Sequence, residues 1–130
     1  MSDDNVMQLG AIDTWEGKRF IDRDVSPQFT GMSANSTAPG ESSPFWHRHT
    51  AIEELYVFLD GTGEMALDDE IVPLTAGTVV RVSPGVWHAL HAMPDSPVPL
   101  KWLCTRGAGK ALADVGKDAE LDRERPYPWS

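Results

Sequence analysis

The chain has 130 residues, 41% of them hydrophobic, which is enough for one core and one domain. It carries 20 acidic against 11 basic residues, a formal charge of −9, so phosphate backbones and anionic lipid are repelled and neither nucleic acid nor membrane is expected as a partner. A single cysteine, Cys104, excludes an intrachain disulfide, and no apolar run or signal-like start appears, so the expected location is the cytoplasm.

Taken in order, residues 1–27 read as an N-terminal arm or strand and residues 28–107 as a run of short strands. Candidate strands are 28–37, 44–49, 52–59, 63–67, 70–74, 78–82, 86–92 and 98–105. Turn residues separate them: Ala38-Pro39-Gly40, Asp60-Gly61-Thr62, Asp68-Asp69, Ala76-Gly77, Ser83-Pro84-Gly85 and Pro94-Asp95-Ser96-Pro97. Short strands spaced by about ten residues predict an all-β sandwich or barrel. Residues 108–130 are rich in Ala, Leu, Lys, Asp and Glu and predict one short helix or an irregular tail. Tyr127 and Trp129 near the end need a surface to cover, on their own barrel or on a partner.

Strand parity makes a sharper statement. Alternate side chains share a face, so His47 and His49 point one way and Arg48 the other. Glu54, Tyr56 and Phe58 share a face on the next strand, with Glu53 opposite. His88, Leu90 and Ala92 share a face on a later strand, with Trp87 and His91 opposite. If these faces look inward, His47, His49, Glu54 and His88 meet around one ion. Three imidazole nitrogens and a carboxylate suit a divalent transition metal (iron, manganese, nickel, cobalt or zinc) and not calcium or magnesium. A one-residue slip in register would destroy the arrangement.

The same parity assigns a pocket wall of Phe58, Leu90, Trp102 and Cys104, with Tyr56 as a candidate proton donor or a hydrogen bond to a substrate oxygen. Arg48 and Arg81 are turned outward. Leu55, Val57 and Leu59, also outward, need a cover, and with Tyr127 and Trp129 they suggest a homodimer.

The two clusters resemble the paired motifs of the cupin superfamily. Gly40, His47, His49, Glu54 and Gly61 fill the first motif, with six rather than the usual five residues between Gly40 and His47. Gly77, Gly85 and His88 fill the second. There the proline is displaced to Pro84, and Ala92 stands where an asparagine is common. The likeness runs from about Met32 to Thr105, and the chain resembles small single-domain cupins of bacteria. It implies a small antiparallel barrel of jelly-roll (double-stranded β-helix) type, a metal centre of three histidines and a glutamate, and frequent homodimers. Cupin centres of this kind serve dioxygenases with iron, nickel or copper, oxalate enzymes with manganese, and isomerases or epimerases with zinc or another divalent ion. A wall rich in aromatics favours a small organic substrate over a sugar, so the first expectation is a metal-dependent oxygenase. The alternatives are a non-redox isomerase, epimerase or lyase on a carbohydrate or keto acid, and a barrel that binds a small ligand without catalysis.

Overall fold

A computed structural model describes residues 6–129. Its strands are β1 (Lys18–Phe20), β2 (Thr30–Thr37), β3 (Trp46–His49), β4 (Glu53–Asp60), β5 (Gly63–Leu67), β6 (Glu70–Leu74), β7 (Val79–Val82), β8 (His88–Ala92), β9 (Leu100–Gly107) and β10 (Ala119–Asp122). They form two antiparallel five-stranded sheets, ordered β1-β2-β9-β4-β7 and β10-β3-β8-β5-β6. The chain is all-β, a jelly roll whose two sheets remain separate. One short helix, Asp22–Val25, follows β1. No helix among the described residues is long and apolar enough to cross a membrane.

The core lies between the sheets, because strands such as β4 and β7 turn alternate residues inward. From the first sheet come Tyr56, Phe58, Val80, Val82, Leu100, Trp102 and Cys104; from the second come Met65, Leu74, Leu90 and Ala92. β4 shows the pattern plainly: Glu54, Tyr56 and Phe58 are buried, while Glu53, Leu55 and Leu59 face solvent. The β4–β9 register shifts between Phe58 and Asp60, a bulge that ends the strand before the turn at Gly61. Gly61 has φ +78°, and a Cβ there would sit 2.6 Å from the Pro99 carbonyl oxygen. Only glycine fits this crossing between sheets.

β8 breaks the alternation, with all five residues buried. Its inner face meets the core, and its outer face is covered by the chain's own C-terminal segment. Trp129 stacks on His91 with centroids 4.2 Å apart, and its indole donates to Ser42 Oγ. Tyr127 stacks on Trp129 and on Trp46, and its hydroxyl donates to the Ser43 carbonyl. The terminal aromatics therefore cover their own sheet.

The C-terminal segment adds a strand to the expected tail, and the N-terminal arm holds one as well. Residues 112–114 make one 3-10 turn, and β10 then pairs with β3, Ala119 opposite His49 and Leu121 opposite His47. Pairing to a strand 70 residues away outweighs the local helix preference of this Ala- and Glu-containing segment. At the other end β1 extends the first sheet along β2.

Candidate metal centre

The centre forms where the two sheets face each other. β3 and β8 are neighbours, and His47 is the register partner of His88. The tilted rings of this pair have centroids 4.0 Å apart. β3 presents His49 two residues on, and β4, in the opposite sheet, presents Glu54. The ligand atoms of His47, His49 and Glu54 all lie within 4.8 Å of one another. Glu54 Oε1 is approached by three Nε2 atoms, at 3.7 Å from His47, 3.6 Å from His49 and 2.8 Å from His88. One carboxylate oxygen thus sits among three imidazoles, with nitrogen and oxygen donors of the kind a divalent transition metal takes, so the residues present fit such an ion.

Groups behind the donors set their orientation. His88 Nδ1 lies 2.9 Å from the Val86 carbonyl, which can only accept, so Nδ1 donates and Nε2 is turned to the centre. His49 Nδ1 lies 3.4 Å from Asp118 Oδ2 and makes no aligned hydrogen bond. Asp118, from the segment before β10, accepts from the backbone N–H groups of Thr50, Ala51 and Ile52 at 3.0–3.1 Å. Glu54 Oε2 accepts from the Cys104 thiol at 3.2 Å, and Oε1 accepts from the Tyr56 hydroxyl at 3.4 Å. Such supporting contacts fix the angle of each donor and tune its basicity.

Electrostatics follow from burial and neighbours. Burial alone would push the Glu54 carboxyl up, but hydrogen bonds from His47 and His88, with their charge, hold it far below the usual carboxylate range. Burial pulls His47 below the ordinary histidine value against the opposing pull of Glu54. Burial and the nearby Glu54 charge push the Cys104 thiol up. Burial first, then Cys104 and Glu54, does the same to the Tyr56 phenol. Both therefore carry their protons at neutral pH.

A cavity of about 700 Å³ opens from this centre, with Tyr56, Leu90, Trp102 and Cys104 in its wall beside His47, His49 and Glu54. Phe58 is a correction to the expected wall. It is fully buried, and the rings of Tyr56 and Trp102, centroids 6.1 and 5.8 Å away, pack on it. Those rings face the cavity in its place, because Phe58 sits one inward position further into the core than Tyr56. His91 lies outside the centre, 2.9 Å from Glu64 through Nε2. Glu53 pairs outward with Arg81 at 2.6 Å, and Arg48 pairs with Glu120 at 3.0 Å.

Two residues near the site were missed in the sequence. Arg106 lines the cavity and is the register partner of Glu54. The expected last strand stops at Thr105, and one more step of the Trp102, Cys104 alternation reaches it. Asp118 gives no local signal, since its place behind His49 depends on the pairing of β10 with β3.

The Cupin domain family model matches residues 36–106. An uncharacterized protein of Methanocaldococcus jannaschii is 34% identical over 71 residues, 55% of each chain, so this chain spans about half the length of that curated relative. A crystal structure of a cupin protein from Bacteroides fragilis superposes with a TM-score of 0.74 at 26% identity, covering 84% of this chain and 87% of that one. A putative sugar phosphate isomerase from Acidithiobacillus ferrooxidans shares the fold, with a TM-score of 0.66 at 18% identity over 80% of this chain and 75% of that one.

Proposed function

The chain belongs to the cupin family, and we propose that it is a metal-dependent oxygenase acting on a small organic substrate. The observation that supports this is the convergence of three imidazole Nε2 atoms on Glu54 Oε1 at the end of a cavity walled by Tyr56, Leu90 and Trp102. His47, His49, Glu54 and His88 would hold one divalent transition metal, which when bound supplies Lewis acidity and electron exchange with dioxygen.

The chain's own residues do the rest. Cys104 donates to Glu54 Oε2 and Tyr56 to Oε1, so both carboxylate oxygens are held in place. Tyr56, Leu90 and Trp102 offer an apolar face to a substrate body beside these donors. Tyr56, protonated and 3.4 Å from the carboxylate, can turn its hydroxyl to hydrogen-bond a substrate oxygen bound beside Glu54.

That same phenol, as a hydrogen-bond donor able to polarise a substrate oxygen, favours a second reading, a non-redox isomerase, epimerase or lyase. Metal analysis of protein purified without chelators, with oxygen consumption measured on candidate substrates, separates the two. Bound iron and turnover that stops without air support the oxygenase; bound zinc and turnover indifferent to air support the second reading. If no metal binds and alanine at His47, His49 and His88 leaves ligand binding unchanged, both give way to a non-catalytic binding barrel.

The reading includes a cytoplasmic homodimer. Leu55, Leu59 and Val79 are exposed on the outer side of the first sheet. Light scattering that returns a monomer at micromolar concentration removes the dimer from it.

A further inference from the structure

Two cations, Lys18 and Arg106, line the cavity in a chain where acids outnumber bases 20 to 11. Lys18 and Phe20 of β1 line the cavity with Arg106 of β9. The Phe20 ring has Lys18 Nζ 4.9 Å, Arg23 Cζ 5.0 Å and Arg106 Cζ 5.9 Å from its centroid. Since Arg106 is the register partner of Glu54, both side chains leave the sheet on its inner face, with Cβ atoms about 5 Å apart by strand geometry. The cationic cluster and the metal centre therefore share one chamber.

Asp22 holds Arg106 in place and leaves most of its donors free. Asp22 Oδ2 pairs with Arg106 Nη2, while Asp22 Oδ1 accepts from the Met32 backbone N–H at 2.7 Å. One oxygen of Asp22 is thus tied to β2, and the other engages one end of a guanidinium that carries five N–H donors. Among the described residues, Arg106 makes no other side-chain hydrogen bond. Gly31 explains its pose: a Cβ there would lie 2.5 Å from Cζ and 2.6 Å from Nη2, so the guanidinium rests on bare β2 backbone. A fixed, planar fork with spare donors at an apolar chamber matches a carboxylate, which accepts two parallel N–H bonds. A neutral sugar would offer those spare donors no charged acceptor.

We propose that the cavity binds a small organic acid, with its carboxylate at Arg106 and Lys18 and its apolar body against Phe20, Leu90 and Trp102. The fate of the bound acid at the His47, His49 and Glu54 end rests on the metal-dependent reading above; its binding does not.

The test is calorimetric titration of the chelator-treated chain with benzoate, benzamide and phenyl phosphate. Benzoate is expected to bind about tenfold or more tightly than benzamide, a charge-assisted hydrogen bond being worth at least that factor. Arg106→Gln and Lys18→Gln should each weaken benzoate by about tenfold and leave benzamide unchanged. Lys18 is exposed on a short edge strand, so its substitution reports even if Arg106→Gln fails to fold. Equal binding of acid and amide, no binding of benzoate at millimolar concentration, or indifference to Lys18→Gln overturns the proposal. Tighter binding of phenyl phosphate than benzoate overturns the carboxylate assignment. Protein that binds benzoate but takes up no metal keeps this proposal and removes the metal-dependent reading; uptake of metal without benzoate binding does the reverse.

Discussion

Asp118→Ala tests whether the segment before β10 belongs to the centre. The carboxylate serves four groups: the N–H of Thr50, Ala51 and Ile52 at 3.0–3.1 Å, and His49 Nδ1 at 3.4 Å. Thr50 and Ala51 are exposed, and water replaces the lost acceptor at little cost. Ile52 is buried, and stranding its N–H costs about 1–3 kcal/mol. Taking about 2 kcal/mol and an unfolding entropy of ~2.1 cal/mol/K per residue, the metal-free protein should melt about 7 °C lower. Asp118→Asn keeps an amide oxygen for the backbone and should lose roughly half as much, about 3 °C. The two variants should agree in metal affinity, falling ~10–100-fold, because both remove the charge behind His49 that orients its ring and raises its basicity. Thermal melts of chelator-treated protein and competition titrations with zinc measure the two effects separately. Unchanged zinc affinity in both variants would refute a supporting role for Asp118, and an unchanged melt in Asp118→Ala would refute the argument from Ile52.

Glu54→Gln keeps the shape of the side chain and removes the charge among the imidazoles. Metal affinity should drop by more than the ~10–100-fold expected for Asp118→Asn, read by the same competition titration. Acid should destabilise the metal-free protein in two stages. Burial depresses His47, and Glu54 is depressed despite burial by His47 and His88, so the unfolded chain binds protons more tightly at both positions. Stability is therefore full above about pH 6.5, falls as His47 begins to favour the unfolded chain, and falls again below about pH 4.3 with Glu54. A urea midpoint equal at pH 7.5 and pH 5 contradicts this. Gly61→Ala should cost more than about 1 kcal/mol, since φ is +78° and the added Cβ meets the Pro99 carbonyl oxygen, and a melt at wild-type temperature would refute it.

Much of the centre could be read from alternation alone. His47, His49, Glu54 and His88 each fall on the inward parity of their strand, and the excluded His91 and Glu53 fall on the outward one. Alternation gives direction without depth. Phe58 points inward as Tyr56 does, yet core and not cavity lies beneath it. Strand ends were harder still. β9 runs to Gly107, and the two residues omitted from it include Arg106. β10 was invisible because its four residues carry no strand preference of their own and gain their partners from β3. Lys18–Phe20 is too short to show a period. What escaped the sequence, Arg106, Asp118 and the cationic ring at Phe20, depends on contacts between segments remote in the chain.

The 2.8 Å approach of His88 Nε2 to Glu54 Oε1 has a thermochemical consequence. Where that contact is a hydrogen bond, its hydrogen must depart before either atom can coordinate an ion. Loading the protein is then an exchange, cation in and hydrogen ion out, so the heat of uptake includes the ionisation enthalpy of whichever buffer receives the released proton. Phosphate and Tris should return different apparent enthalpies for the same event, with a slope that counts the protons expelled.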